Sequence, residues 1–130
     1  MLASEHDDRA FADLVRTHPI APEANIRADE IERTAGGTLH LVQVRGGESP
    51  HRHVAHDLVV QVVAGHGALT LGGVRRELRA GDVAVVPRGV PHWFVNTGGD
   101  PAIALVVFMP PLDAPDSIPV DAVDSRAGAR

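Results

Sequence analysis

The sequence contains no cysteine, and aromatic residues make up only 3% of its 130 positions. Without cysteine the chain forms no disulfide bond, no thiolate zinc site and no thiol nucleophile, so its fold needs no oxidising compartment. Basic residues are also scarce, with 12 lysines and arginines against 17 acidic residues and a net charge of -5. Such a chain offers no basic surface for phosphates, and we expect no nucleic-acid partner.

Long hydrophobic runs are missing as well. No apolar stretch approaches the length that crosses a bilayer, and the first residues, MLASEHDDRA, lack the basic segment and apolar run of a signal peptide. We therefore expect a cytoplasmic protein with no membrane partner. A length of 130 residues is most simply one domain with a substantial hydrophobic core.

What the sequence does contain is a series of short apolar segments separated by turns. Alternate residues of TLHLVQVR (38–45) share a face, so Gln43 lies with the leucines and opposite His40. DLVVQVVAG (57–65) suits a strand buried on both faces, and Gly72-Gly73 predicts a hairpin because glycine takes the positive φ angles that a two-residue turn needs. DVAVVP, HWFVN and AIALVVFMP supply three more strands. This spacing predicts an all-β sandwich or barrel.

The sequence patterns at the two ends of the chain differ from the strand-like pattern in the middle. DDRAFADLVRTH (7–18) predicts a short helix with Phe11, Leu14 and Val15 on its apolar face and Asp7 or Asp8 as its cap. The last residues carry prolines and little periodicity, which is typical of a strap or a disordered tail. We therefore predict an N-terminal helix and strap over residues 1–35, a β-barrel over 36–112 and an irregular tail over 113–130.

A histidine cluster in the segment SPHRHVAHDL (49–58) is the first sign of chemistry. On an extended chain His51 and His53 share a face, with Arg52 opposite. Two buried imidazoles need partners for their polar nitrogens, and a metal ion satisfies both at once. A histidine-rich surface loop is the alternative, and the pair alone does not decide between them.

The segment GDVAVVPRGVPHWFVN (81–96) decides in favour of a metal site. It resembles the second motif of the cupin family, G(X)5PXG(X)2H(X)3N, at every fixed position: Gly81, Pro87, Gly89, His92 and Asn96. The first cupin motif, G(X)5HXH(X)3-4E(X)6G, is matched at His51, His53 and Gly65. Its leading glycine falls on Arg45, and its acidic position falls on Asp57 or Leu58. The chain therefore resembles a small single-domain cupin of the cupin 2 type.

This resemblance implies a double-stranded β-helix, or jelly-roll barrel, with one divalent transition metal held inside it. When the ligand positions of the two cupin motifs are carried over to this sequence one by one, the implied ligands are His51, His53, His92 and an acidic residue. Three neutral imidazoles and a carboxylate suit Fe, Mn, Ni, Co or Zn, and they leave one or two coordination positions open.

The acidic ligand is the position at which this sequence departs from the cupin pattern. If the chain stays extended after His53, Asp57 shares the face of the histidines, and we predict it as the fourth ligand. A bulge or turn within residues 54–58 would exchange the two faces. His56 is then the alternate ligand, and Asp57 becomes an outer acceptor that fixes a histidine tautomer.

The predicted substrate pocket is apolar, because so few aromatic residues are available to line it. Phe94 shares the face of His92 and is expected in the pocket. Gln43 and Gln61 are polar residues within apolar strands. They either lie at an edge with their hydrogen bonds satisfied or enter the pocket and orient a substrate. We interpret His40 as an ordinary strand residue, and His6, His18 and His66 as solvated. The pocket favours a small, partly apolar molecule.

The resemblance and the open metal site together predict a metal-dependent enzyme, most simply a dioxygenase-type oxidoreductase. A metal-dependent isomerase or decarboxylase, and a non-catalytic module that binds a metal or small ligand, are the alternatives, because fold does not decide function. We predict no catalytic residue beyond the metal ligands, since Ser49 has no evident partner. AIALVVFMPPL has apolar residues on both faces, which predicts a homodimer.

Overall fold

The computed structural model describes residues 10–121. Within them one short helix precedes ten strands, which form two five-stranded sheets. In chain order the elements are α1 (Phe11–Thr17), β1 (Ile26–Arg33), β2 (Thr38–Val44), β3 (His51–His53), β4 (Asp57–Ala64), β5 (His66–Leu71), β6 (Val74–Arg79), β7 (Val83–Val86), β8 (His92–Asn96), β9 (Ala102–Met109) and β10 (Ser117–Pro119).

The two sheets have the strand orders β1-β2-β9-β4-β7 and β10-β3-β8-β5-β6, and all their paired strands are antiparallel. Strands distant in sequence are neighbours, as where β9 lies between β2 and β4. The core packs inside, and Val62, Leu69 and Val86 are almost fully buried. This architecture confirms the predicted all-β jelly roll.

Two strands lie in segments where the sequence did not indicate a sheet. β1 has the sequence IRADEIER and pairs with β2, so the first sheet begins within the segment expected to be helix and strap. Its charged residues are compatible with a strand because β1 is an edge of the sheet, where one side meets solvent. At the other end, β10 pairs with β3, and the tail up to residue 121 is an ordered strap.

The structure contains both the predicted helix and the predicted hairpin, and it describes a different cap for the helix. The helix is confirmed as α1, with Leu14 as its buried residue, but Ala10 caps it without a side-chain hydrogen bond. The predicted caps, Asp7 and Asp8, lie outside the described residues, as does His6. The hairpin is confirmed, since Gly72 and Gly73 adopt φ angles of 56° and 82° between β5 and β6. The one helix in residues 10–121 is not long and apolar enough to cross a membrane.

Candidate metal centre

Three histidines converge where β3 and β8 are neighbours in the second sheet. His51 is the register partner of His92, and His53 lies two residues further along the same face of β3. The ring centroids of His51 and His92 are 4.3 Å apart, and those of His53 and His92 are 5.3 Å apart. One ring nitrogen from each residue lies within 4.8 Å of the others. We call these three residues the triad, and a group of this kind could hold a metal ion.

The turn of the second motif is attached directly to β3. Gly89 takes a φ of 82°, which favours glycine, and its N–H donates to the backbone carbonyl of His53 over 2.6 Å. The chain then enters β8 at His92. The positive φ explains the glycine of the motif, since a Cβ here would meet no other atom within 4 Å. The hydrogen bond holds the turn against β3, which places His92 beside His51.

Backbone carbonyls orient two of the three rings. Nδ1 of His51 lies 2.7 Å from the carbonyl oxygen of Ser49, and Nδ1 of His92 lies 3.0 Å from that of Val90. A carbonyl only accepts hydrogen bonds, so each Nδ1 carries the proton. This arrangement leaves Nε2 of each ring as the atom that can present a lone pair, as in metal-binding histidines.

A carboxylate from the C-terminal strap orients the third ring. Asp116 precedes β10, and its Oδ1 accepts a hydrogen bond from Nδ1 of His53 over 2.9 Å. Its Oδ2 accepts from the N–H of Ala55 at 2.9 Å and from Nδ1 of His56 at 2.6 Å. Burial raises the pKa of Asp116, but the hydrogen bonds from His56 and His53 outweigh it and lower this pKa to about 2. Asp116 is therefore an anion that fixes the tautomer of His53.

Burial also favours the neutral form of two rings of the triad, His92 and His53. It lowers the pKa of His92 to about 4, and it lowers the pKa of His53 despite the hydrogen bond to Asp116. Metal ligands must be deprotonated to bind. At neutral pH these two rings are therefore ready to bind a metal without first releasing a proton from Nε2.

The structure does not bring Asp57, the predicted fourth ligand, to the triad. Its carboxylate accepts from the backbone N–H of Arg88 at 2.8 Å and pairs with the guanidinium at 3.3 Å, and its side chain is 41% exposed. The reason is topological, because residues 54–56 turn the chain out of the second sheet and Asp57 begins β4 in the first. Alternation along a single strand therefore does not extend from His53 to Asp57.

The alternate ligand, His56, lies near the triad but is engaged elsewhere. Its Nδ1 contacts Asp116, and its Nε2 lies 3.1 Å from the carbonyl oxygen of Pro111. Both partners only accept, so both nitrogens are donors and the ring is a cation. Burial lowers the pKa of His56, but the bonds to Asp116 and Pro111 raise it more. His56 is therefore the counter-ion of Asp116 and has no lone pair for a metal.

A carboxylate that the motif comparison missed lies beside the triad. Oε1 of Glu48 accepts from the N–H of Phe94 at 3.0 Å, and Oε2 lies 3.9 Å from Nε2 of His51. Burial raises the pKa of Glu48, and His51 lowers it by a smaller amount. Glu48 stands three residues before the HXH segment, whereas the cupin pattern expects the acid after it. The sequence therefore did contain an acidic residue close to the two histidines, but this residue precedes them instead of following them.

The triad opens into an apolar cavity of about 230 Å³ between the sheets. Its walls are mainly aliphatic and include Phe94, Glu48 and His40. His40 is thus a cavity residue, which the sequence interpretation as an ordinary strand residue missed.

Neither predicted glutamine lines this cavity. Gln43 lies on the opposite face of β2, is 2% exposed, and donates to the carbonyl of His18 over 2.7 Å. Gln61 is exposed on the opposite face of β4. The alternation that brings His40 to the interior therefore takes Gln43 away from it.

One expected result follows from the placement of Asp57. Replacing Asp57 with alanine should change the affinity for Zn(II) less than about twofold, well below the 10–100-fold expected for a residue that orients a ligand. A chelator competition assay measures this affinity. A loss of about tenfold or more would mean that the chain around residues 54–56 rearranges when metal binds.

Comparison with known proteins agrees with the fold. The family model described as "Cupin domain" matches residues 38–108. The chain is 31% identical to an uncharacterized protein of Aquifex aeolicus (strain VF5), over 93% of this chain and 98% of that one. Among solved structures, KdgF from Halomonas sp. has a TM-score of 0.63 and 29% identity, with 70% of this chain and 84% of that one covered. The polyketide cyclase RemF from Streptomyces resistomycificus has a TM-score of 0.64 and 25% identity, with coverage of 75% and 72%. With the two motifs and the jelly roll already in place, the chain belongs to the cupin family.

Proposed function

We propose that this cupin is a metal-dependent enzyme that acts on a small, partly apolar molecule, with dioxygenase-type oxidation as its chemistry. The observation that carries the proposal is the triad, whose three Nε2 atoms have no hydrogen-bond partner among the described residues while each Nδ1 is held by an acceptor. Three neutral imidazoles fit Fe, Mn, Ni, Co or Zn. Such an ion supplies Lewis acidity and open positions for a chelating substrate and oxygen.

The chain's own contribution is to bind and shield the substrate. The aliphatic walls of the cavity and Phe94 accommodate its apolar part and exclude water. Glu48 adds a carboxylate next to His51, with Oε1 held by the N–H of Phe94. Oε2 is therefore placed to accept a proton from a hydroxyl group of a substrate bound at the triad.

The position of Glu48 also favours a second candidate, a metal-dependent isomerase, decarboxylase or cyclase that moves a proton without consuming oxygen. RemF, whose fold this chain shares, is described as a polyketide cyclase. Under this candidate Glu48→Gln should retain the metal and lower turnover, because the amide cannot accept the proton.

The deciding experiment is to identify the metal in protein purified without a histidine tag, and then to measure oxygen uptake with enol, diketone and phenol substrates. Fe or Mn together with substrate-dependent oxygen uptake supports the dioxygenase. Zn or Ni with turnover and no oxygen uptake supports the second candidate. A metal-loaded protein that binds these compounds without converting them would be a non-catalytic binding module, contrary to the proposal.

We also propose that the protein is a homodimer that pairs through the outer face of its first sheet. Val85, Val59 and Val107 are register partners across β7, β4 and β9, on the face opposite the cavity. Val83 and Val85 are 55% and 57% exposed on this face, and exposed apolar residues grouped on one face are typical of an interaction surface. Val85→Glu should then yield a monomer, whereas Val74→Glu, at an equally exposed hairpin position, should not. A wild-type mass of 13.7 kDa by light scattering at micromolar concentration would contradict this.

A further inference from the structure

His40 faces the triad across the cavity, from the other sheet. It lies on β2 in the first sheet, lines the cavity, and is 8% exposed. Its ring centroid is 4.8 Å from that of Phe108, and the ring of His53 lies 5.4 Å from Phe108. Phe108 therefore contacts both histidines, and a small molecule lying over it can reach both.

A short chain of hydrogen bonds sets the tautomer of His40. The hydroxyl of Thr38 accepts from the backbone N–H of Leu112 at 3.1 Å and lies 2.9 Å from Nε2 of His40. Thr38 is 1% exposed, and no described residue offers its hydroxyl hydrogen another acceptor. The hydroxyl therefore donates to Nε2, because a buried donor left unpaired is costly. The proton of the neutral ring must then be on Nδ1, and burial lowers the pKa of His40, which favours the neutral form.

The Nδ1–H of His40 has no hydrogen-bond partner within residues 10–121. Glu30 faces His40 from β1, but Arg33 binds both of its carboxylate oxygens, at 2.7 and 3.2 Å. Every fully buried side-chain nitrogen or oxygen of the described residues has a hydrogen-bond partner. Because Nδ1 of His40 has none, this atom must be accessible rather than fully buried. We place it at the surface of the cavity that His40 lines.

We infer that His40 is a substrate-binding residue whose Nδ1–H donates to a neutral oxygen of the ligand, such as a ketone or ester carbonyl. This inference rests on the proposed function, because the other end of the ligand carries the oxygens that meet the metal. The ligand oxygen that accepts from His40 belongs to a neutral group, because the cavity wall is apolar and contains no cation that could pair with a second buried anion. The ligand class is thus a short, mainly aliphatic carboxylate or enol with a carbonyl group further along its chain.

The experiment uses Co(II)-loaded protein and pairs of probes that differ only in a ketone: 5-oxohexanoate against hexanoate, and 6-oxoheptanoate against heptanoate. Visible absorption of the cobalt reports binding. We expect the wild type to bind one keto acid about tenfold more tightly than its alkanoate, the scale of one buried hydrogen bond. His40→Phe should reduce this preference to less than twofold, His40→Gln should restore part of it, and His66→Phe should leave it unchanged.

The result also separates this inference from the proposed function. If wild-type protein holds one equivalent of cobalt but does not prefer either keto acid, or if the preference survives in His40→Phe, the inference is wrong and the metal site stands. If no cobalt binds, the proposed function fails. Nitrogen-15 NMR of the metal-free protein then tests His40 alone: an Nδ1–H tautomer whose signal shifts with keto acid supports the inference, and an Nε2–H tautomer or no shift overturns it.

Discussion

Replacing His92 with alanine should lower the affinity for Co(II) or Zn(II) by ~100-fold or more. This loss equals or exceeds the largest loss expected for a residue that only orients a metal ligand. His92 supplies one of the three converging nitrogens and is 4% exposed. No other described histidine can take its place, because His56 has both nitrogens engaged and His40 lies in the opposite sheet. Chelator competition measures the affinity, and circular dichroism confirms that the variant is folded.

The matched control for this variant is His66→Ala. His66 is 48% exposed and bonds to Thr97 through Nδ1 at 2.8 Å, on the same sheet but outside the triad. Its replacement should change metal affinity less than about twofold, as for an ordinary surface position. Equal losses in the two variants would mean that the second motif has been assigned to the wrong residues.

Replacing Asp116 with asparagine should weaken metal binding by about 10–100-fold, the range for a carboxylate that orients a histidine ligand. An amide oxygen can accept from either His53 or His56, but the amide nitrogen is a donor and cannot face the second ring. The cationic His56 also loses its counter-ion at a site where both side chains are under 10% exposed. We expect the free energy of unfolding to fall by about 1–3 kcal/mol, the cost of an unpaired buried polar group.

Asp113→Asn is the control for this second prediction. Asp113 lies in the same strap, but it pairs with Arg33 at the surface and is 77% exposed. An exposed pair of this kind contributes little, so both stability and metal affinity should stay near wild type. If Asp116→Asn behaved like Asp113→Asn in the affinity assay, the strap would have no role in holding His53.

Local geometry predicted only the pair in β3, whereas His92 meets His51 through a long-range strand pairing and was implied by the resemblance to the second cupin motif. His51 and His53 share a face through simple alternation, and the proline and glycine of the second motif form the turn that delivers His92. The hairpin at Gly72 was also predictable from local geometry, since its φ requirement is carried by the residues themselves.

The surroundings of the triad depend on pairings between distant parts of the chain. Asp116 reaches His53 only because β10 pairs with β3, and no local pattern in the tail indicates that pairing. Asp57 missed the site because the turn at residues 54–56 moves the chain to the other sheet. Both faces of β2 are buried, so alternation separates Gln43 from His40 without identifying which of them faces the cavity.

The most direct test of the metal centre is anomalous diffraction from crystals of protein reconstituted with Zn(II) or Co(II). The account predicts one strong anomalous peak at about 2.1 Å, the usual zinc–nitrogen distance, from Nε2 of each of His51, His53 and His92. A peak bound instead by Asp57 or His56, or the absence of any peak between the three rings in fully reconstituted protein, would contradict it.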